Sequence, residues 1–366
     1  MAYTTIDDPS AHFQTVIYTG GGDDSSVTFS GNSDLQLDWL WVKRRDASGD
    51  SKVFDTSRGI GSGDEPYLTT VSGEQEQTYA YLTSVNSDGF TWDTTDATTG
   101  ASGNTYVAWA WKANGGSTTN VDGTGTAEGT TKAGTYQANT TAGFSIITFS
   151  TGVDDLGDHR IQHGLGAVPH FIITKERDGT YEWYTYHHKG TDDNDYLRLN
   201  LSDATSDAGA RNVFDGSDFT STYFEMGNNN IVNDSKTYVA YCFTEIQGYS
   251  KFDSYTANDS ADGPFVYTGF KPAWLMIKAK GAISWYVMDN KRDIDNPVTG
   301  GLNPDANGAE FTNQFIVDFL SNGFKIRNDN SGSGASVNHT TYDPYLYMAF
   351  AEQPFVTSGG VPCTAR

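Results

Sequence analysis

The 366-residue chain carries 23 Lys+Arg against 46 Asp+Glu, a formal charge of −23. That sign argues against nucleic acid, which is held chiefly by cations on phosphates, and against docking on anionic lipid. Forty Gly, 21 Tyr, 20 Phe and 8 Trp with only 19% charged residues is the mixture of a turn-rich all-β protein and leaves little room for long helices.

Taken from its start, MAYTTIDDPS has no basic run followed by an apolar one, so no secretory signal peptide is predicted, and no apolar run approaches the ~18 residues of a membrane span. The expectation is a soluble protein made in a cytoplasm. The first strand is TVIYTG at 15–20, followed by WLWVK at 39–43, a turn at Asp88-Gly89-Phe90 and the apolar strand YVAWAW at 106–111. Residues 113–131 are rich in Gly and Thr without apolar periodicity and read as a linker. The same order then returns as FSIITF at 144–149, FIITK at 171–175, Ser217-Asp218-Phe219 and YVAYCF at 238–243. A third pass gives YSKF at 249–252, WLMIK at 274–278, Asn322-Gly323-Phe324 and YMAFAE at 347–352.

Lys43 to Lys175 and Ala108 to Ala240 are both 132 residues, so the first two copies share one internal spacing. Period-2 alternation in the last motif puts Ala108 and Ala110, Ala240 and Cys242, or Ala349 and Ala351 on one face and large side chains on the other. A strand of this kind is predicted to be central and buried on both faces, with Cys242 a small buried hydrophobe in an alanine position. By this alignment Glu352 takes the place of Trp111 and Phe243. The fold expected is all-β, three β-sandwich repeats in series at 1–112, 132–247 and 248–357, with the linker at 113–131 and a C-terminal tail at 358–366. The rival arrangement is one closed body with the copies as sectors about a pseudo-threefold axis.

Two cysteines, Cys242 and Cys363, cannot form a disulfide framework, and no C-x-x-C or H-E-x-x-H metal spacing occurs. No paired-carboxylate strand, G-x-S-x-G elbow or Walker loop is present, and Glu74-Gln75-Glu76 reads as a solvated loop, so no catalytic residue is assigned and no enzyme is predicted. Calcium is the only candidate cofactor: acidic loops occur at Asp23-Asp24, Asp154-Asp155 and 192–195, with Asp192, Asp193 and Asp195 as the best ligand set. His163, His187 and His188 read as surface or half-buried. Trp183-Tyr184 and Trp285-Tyr286 recur at matching places, where copy one has Lys52-Val53. With Trp92 they are the aromatic candidates for stacking on a sugar, set against a core-packing role. Asp55 with Arg58, paralleled by Asp289 with Arg292, reads as a polar ligand contact or as a salt bridge holding a turn.

The opening YTTIDDPSAHFQT, the series LQLDWLWVKRR, VFDTSRG, YLTT, NSDGFTW and NTYVAWAWKA, and the ending AEQPFVTSGGVPCTAR resemble a family of bacteriophage virion proteins abundant in marine phages. The resemblance spans almost the whole chain and is strongest in copy one, at Lys43, Asp55, Arg58, Gly59, Gly89, Phe90 and residues 106–111. In copy two His187 stands at the place of Asp55. What the resemblance implies is lectin-like repeats of the concanavalin A-like sandwich type in a structural protein on the outside of the particle. Its partners would be other virion proteins, within an oligomer. A tail fibre or spike module for host-surface glycan adhesion comes first, capsid decoration of the phage head second, and a polysaccharide-degrading enzyme third.

Overall fold

The computed structural model describes residues 3–61, 64–93, 95–125, 129–152, 159–191, 195–207, 213–227, 232, 235–328 and 337–364. Strands joined by turns make up these segments, with three short 3-10 turns and no α-helix among them. Each sequence copy supplies one large and one small antiparallel sheet, the copy-two small sheet also containing one parallel pair. In copy one the large sheet begins with Phe13–Thr19, Thr105–Trp111, Trp39–Arg44 and Lys52–Asp55. Phe144–Ser150, Thr237–Phe243, Phe171–Glu176 and Tyr184–His187 keep the same neighbour order in copy two. Ser250–Tyr255, Tyr345–Pro354, Phe270–Ala279 and Tyr286–Asp289 do so in copy three.

The alternation seen in the sequence decides how these sheets pack. The small-residue faces, with Ala108 and Ala110 or Ala240 and Cys242, close onto each copy's own small sheet, giving three separate sandwich cores. The opposite, ring-bearing faces of all three large sheets meet in a fourth core. There Trp39 stacks on Tyr241 of copy two at 4.5 Å, and Trp111 meets Trp274 of copy three edge-to-face at 5.7 Å. This convergence is the geometry of the closed arrangement: the copies share a core rather than standing apart on a string. The predicted linker is partly structured, since Thr119–Val121 pairs with residues 134–136 at the edge of the copy-two sheet. The C-terminal tail folds back, with the Ser358 N–H donating to Asp7 at 2.6 Å.

Strand register corrects two alignments. Trp39 pairs with Trp111, Phe171 with Phe243 and Trp274 with Phe350, so Phe350, not Glu352, is the counterpart of Trp111. The third YVAWAW copy therefore starts at Tyr345, two residues earlier than the tyrosine-alanine match suggested. Likewise Val27 faces Phe90, Ile161 faces Phe224 and Val266 faces Phe324, which makes Phe224, not Phe219, the copy-two equivalent. Gly89 and Gly323 sit where an added Cβ would lie 2.0 Å from the carbonyl oxygens of Val27 and Val266, so these two turns admit only glycine.

Because Trp39 is buried between two copies, Trp39→Ala is expected to cost about 3–5 kcal/mol. Through the shared core it should lower the stability of the whole chain at once. Denaturant unfolding followed by tryptophan fluorescence and by circular dichroism should give coincident curves. Separate transitions would mean that the copies fold independently.

Candidate functional site: the three seams

Each copy places a residue at the end of its fourth strand against the next copy, so that copy one faces two, two faces three, and three faces one. In copy one this residue is Asp55, paired across its sheet with Trp39. Its Oδ1 accepts the Arg58 N–H at 2.9 Å, and its Oδ2 accepts Arg58 Nε at 2.5 Å and the Tyr241 hydroxyl of copy two at 2.7 Å. Arg58 also donates to Glu76 at 2.9 Å, and Glu76 in turn holds Arg177 of copy two at 2.7 Å. Burial opposes the charge on Arg58, but Asp55, Tyr241 and Glu76 around it raise its pKa nonetheless. Burial likewise works to raise Glu76, and the guanidiniums of Arg177 and Arg58 hold it below the usual carboxylate range.

The seam from copy three to copy one repeats this network position for position, with Trp109 in the place of Tyr241. Asp289 accepts the Arg292 N–H at 2.9 Å, Arg292 Nε at 2.6 Å and Trp109 Nε1 of copy one at 3.1 Å. Glu310 bridges Arg292 at 3.3 Å and Arg45 at 2.7 Å. Arg45 and Arg177 each stand two residues beyond the strand-end lysine, and their carbonyls accept the Glu310 and Glu76 N–H groups at 2.9 and 2.7 Å.

The seam from copy two to copy three uses different chemistry at the same positions. His187 replaces the aspartate, Gly190 the arginine and Thr205 the glutamate. His187 Nδ1 accepts the Lys189 N–H at 3.2 Å, so Nε2 carries the proton and donates to the Tyr347 carbonyl at 3.1 Å. Burial pushes its pKa down to about 3, leaving it neutral. A Cβ on Gly190 would lie 2.1 Å from Leu346, so an apolar side chain of copy three fills the space that a guanidinium occupies elsewhere.

The aromatic and Asp55–Arg58 site residues predicted from the sequence fall inside this architecture and not on its surface. Trp92, Trp183 and Trp285 are 0%, 1% and 2% exposed. Trp92 packs inside the copy-one sandwich. Trp183 donates to the Thr69 carbonyl of copy one at 2.7 Å, and Trp285 to the register-equivalent Arg198 carbonyl of copy two at 2.9 Å. These rings are seam plugs with no free face for a sugar; register puts Ser51, not Lys52, in the corresponding place of copy one. Asp55 and Arg58 are likewise fully enclosed side chains, which makes them the salt bridge and removes them as ligand contacts. Glu76, read as a solvated loop acid, is the bridging carboxylate. His163 and His187 are more enclosed than predicted, being fully buried, whereas His188 is half-buried as expected.

Asp192 and Asp193 lie outside the described residues, and Asp195 opens the strand Asp195–Arg198 with Lys280 of copy three 3.7 Å away. Among the described residues the carboxylates that gather closely are instead Asp215, Asp218 and Glu225, of which Glu225 already pairs with Arg160 at 2.5 Å. Cys242 is buried and burial raises its thiol pKa; both cysteines are free.

The strand-end lysines, used in the sequence only to align the copies, have a structural role. Lys43, Lys175 and Lys278 are all buried. Their ammonium groups donate to backbone carbonyls: Gly49 and Ala306 for Lys43, Glu176 and Gly179 for Lys175, Ala279 and Gly281 for Lys278. Burial lowers all three to about 8.

Removing one partner from a buried ion pair leaves the other uncompensated, so Asp55→Asn and Asp289→Asn should each cost about 3–5 kcal/mol in chemical denaturation. His187→Asn at the neutral seam should cost less. For the lysines the folded pKa of about 8 lies below the ordinary 10.5, so between those values the unfolded chain binds more protons and stability rises with pH. The stability of the native protein relative to Lys278→Met should therefore increase from pH 8 to pH 10.5; a flat difference would contradict a buried ammonium.

A family profile described as a domain of unknown function, DUF7483, matches residues 8–354. No curated protein and no solved structure matches the chain. Among the described residues no helix is long and apolar enough to cross a membrane.

Proposed function

The chain belongs to the DUF7483 family, a domain of unknown function, and we propose that it is a non-enzymatic structural component on the surface of a bacteriophage particle. The observation that carries this reading is the use made of its reactive side chains. Asp55, Arg58, Glu76, His187, Asp289, Arg292 and Glu310 are committed to seams between copies, with both ion-pair networks turned inward. A fold that spends its polar groups on closing itself suits a body that is built into an assembly. The sequence resemblance to marine phage virion proteins supports a location on the particle.

Of the two placements, decoration of the head gains on tail-borne glycan adhesion, because the tryptophans and the Asp55–Arg58 pair that would have met a sugar are enclosed. The acidic surface fits a particle in salty water, where the short Debye length mutes self-repulsion. Antibody against this chain should label intact virions in electron micrographs, many copies per head. Label confined to the tail would restore adhesion, and particles without label would refute a virion location. Incubation with marine polysaccharides should release no new reducing ends; their appearance would refute the non-enzymatic reading.

A further inference from the structure

The free edges of the large sheets are closed in different ways. In copy two the edge strand Phe144–Ser150 is covered by another strand of the chain, Gly134–Asn139. In copy three the edge strand Ser250–Tyr255 is closed by side chains of copy two: the Phe252 N–H donates to the Glu245 carboxylate at 2.9 Å, and the Phe252 carbonyl accepts His188 Nε2 at 2.6 Å. Two more imidazoles stand beside His188, with His170 edge-to-face at 4.6 Å and His187 at 5.6 Å. Copy two therefore meets copy three through a cluster of three histidines, whereas neither ionic network contains one.

The hydrogen bonds favour the neutral form of these rings. His187 is fully buried and uses both ring nitrogens, Nδ1 accepting the Lys189 N–H and Nε2 donating to the Tyr347 carbonyl. His170 Nδ1 likewise accepts an N–H, that of Glu245, at 3.1 Å. A proton added to Nδ1 of either ring would point at the donor it now accepts, so each uptake removes a hydrogen bond in an enclosed place. The charges that face the cluster do not compensate. Glu245 and Asp253 are both held by Lys251, at 3.0 and 3.4 Å, and Lys189 opposes a further positive charge. Imidazoliums at positions 170 and 188, 4.6 Å apart, would also repel one another. Burial is the main cause that lowers all three below the ordinary imidazole value of 6.5, offset only in part by the carboxylates and by the Tyr347 and Phe252 carbonyls. Groups of this kind stabilise a fold above pH 6.5 and withdraw that support as the pH falls, because the opened chain binds the protons more tightly.

We propose that the joint between copies two and three is acid-operated: protons taken up by His170, His187 and His188 part the two copies there while both ionic seams stay shut. Phe171 of copy two stacks on Phe252 of copy three at 5.9 Å across this joint, so its opening bares rings of the shared core. At the seam between copies one and two Glu76 is held below the usual carboxylate range and keeps its charge under the same conditions. The joint is a property of the fold and does not rest on a place in a virion.

Hydrogen exchange of the full chain, followed by mass spectrometry at pH 7.5 and pH 5.0 and corrected for the intrinsic effect of pH on exchange, tests it. The reporters are peptides holding the Lys189, Glu245 and Phe252 amides, whose N–H groups the cluster and Glu245 receive. With His187 at about 3 when folded and 6.5 when opened, its share alone is a roughly thirtyfold rise in opening. Peptides holding the Arg58 and Arg292 amides, donated to Asp55 and Asp289, should rise far less. His187→Gln keeps a neutral donor for the Tyr347 carbonyl and should cut the rise about tenfold or more. His188→Gln, at a half-buried position, should fold even where the first variant does not, and should cut the rise several-fold. No rise at the three reporters, an equal rise at the ionic seams, or an undiminished rise in the variants would overturn the proposal.

Discussion

Three amphipathic sheets with large side chains on their outer faces cannot leave those faces in water, and the structure follows from that constraint. Each large sheet already buries one face against its own small sheet. Its other face carries Trp39, Trp41, Trp109 and Trp111 in copy one, Phe144, Phe171, Tyr241 and Phe243 in copy two, and Trp274, Met276, Met348 and Phe350 in copy three. The way to remove all of that apolar area from solvent is to turn the three faces toward one another. Once they meet, whatever polar groups lie at the strand ends are dragged into a dry interface, where each must find a partner or carry a desolvation penalty. The seam networks are the answer to that requirement.

The ionic seams illustrate why such pairs come as sets. A lone buried Asp–Arg pair is weak evidence for stability, since desolvation offsets most of its attraction. Here each aspartate also accepts a backbone N–H and a ring donor from the next copy, and each arginine also reaches a carbonyl, Val53 or Val287, and a bridging glutamate. Each nitrogen of the two guanidiniums and each oxygen of the two aspartates has a partner, which favours a single arrangement of the buried network. The His187 seam meets the same requirement without charge, by pairing a neutral imidazole with a carbonyl and filling the remaining volume with Leu346.

Much of this was legible in the sequence, and the misses have physical causes. The 132-residue spacing and the alanine-versus-ring alternation identified the copies and the doubly buried strand, because both follow from strand geometry. The Asp55–Arg58 and Asp289–Arg292 pairs stood out as an aspartate followed closely by a cation, but position alone left open whether they hold a turn or meet a ligand; their enclosure shows the bridge. Glu76 could not be placed: it reaches Arg58 across a loop, and a polar loop looks solvated until its partner in another copy is known. Its traceable signal is the shared Lys-x-Arg at Lys43–Arg45 and Lys175–Arg177, which supplies the receiving cation. For Trp183 and Trp285 the sequence left sugar stacking open beside core packing, because a single sandwich leaves one sheet face outward; the neighbouring copy covers both rings. Copy three was misaligned by two residues because an alternating pattern matches itself at every even shift, and only pairing with Trp274 fixes the register.

The unequal distribution of seam chemistry among the copies also bears on ancestry. Copy one carries both halves of the ionic clasp: the reaching half in Asp55, Arg58 and Glu76, and the receiving half in Trp109 and Arg45. Copy two keeps only the receiving half, in Tyr241 and Arg177, and copy three only the reaching half, in Asp289, Arg292 and Glu310. A polypeptide consisting of one copy-one-like unit would possess everything needed to close a ring of three identical subunits by itself. In a single chain each joint is formed once and between fixed neighbours, so the three need not match, and the joint of copies two and three holds His187 and Leu346 where the other two hold an aspartate and a guanidinium.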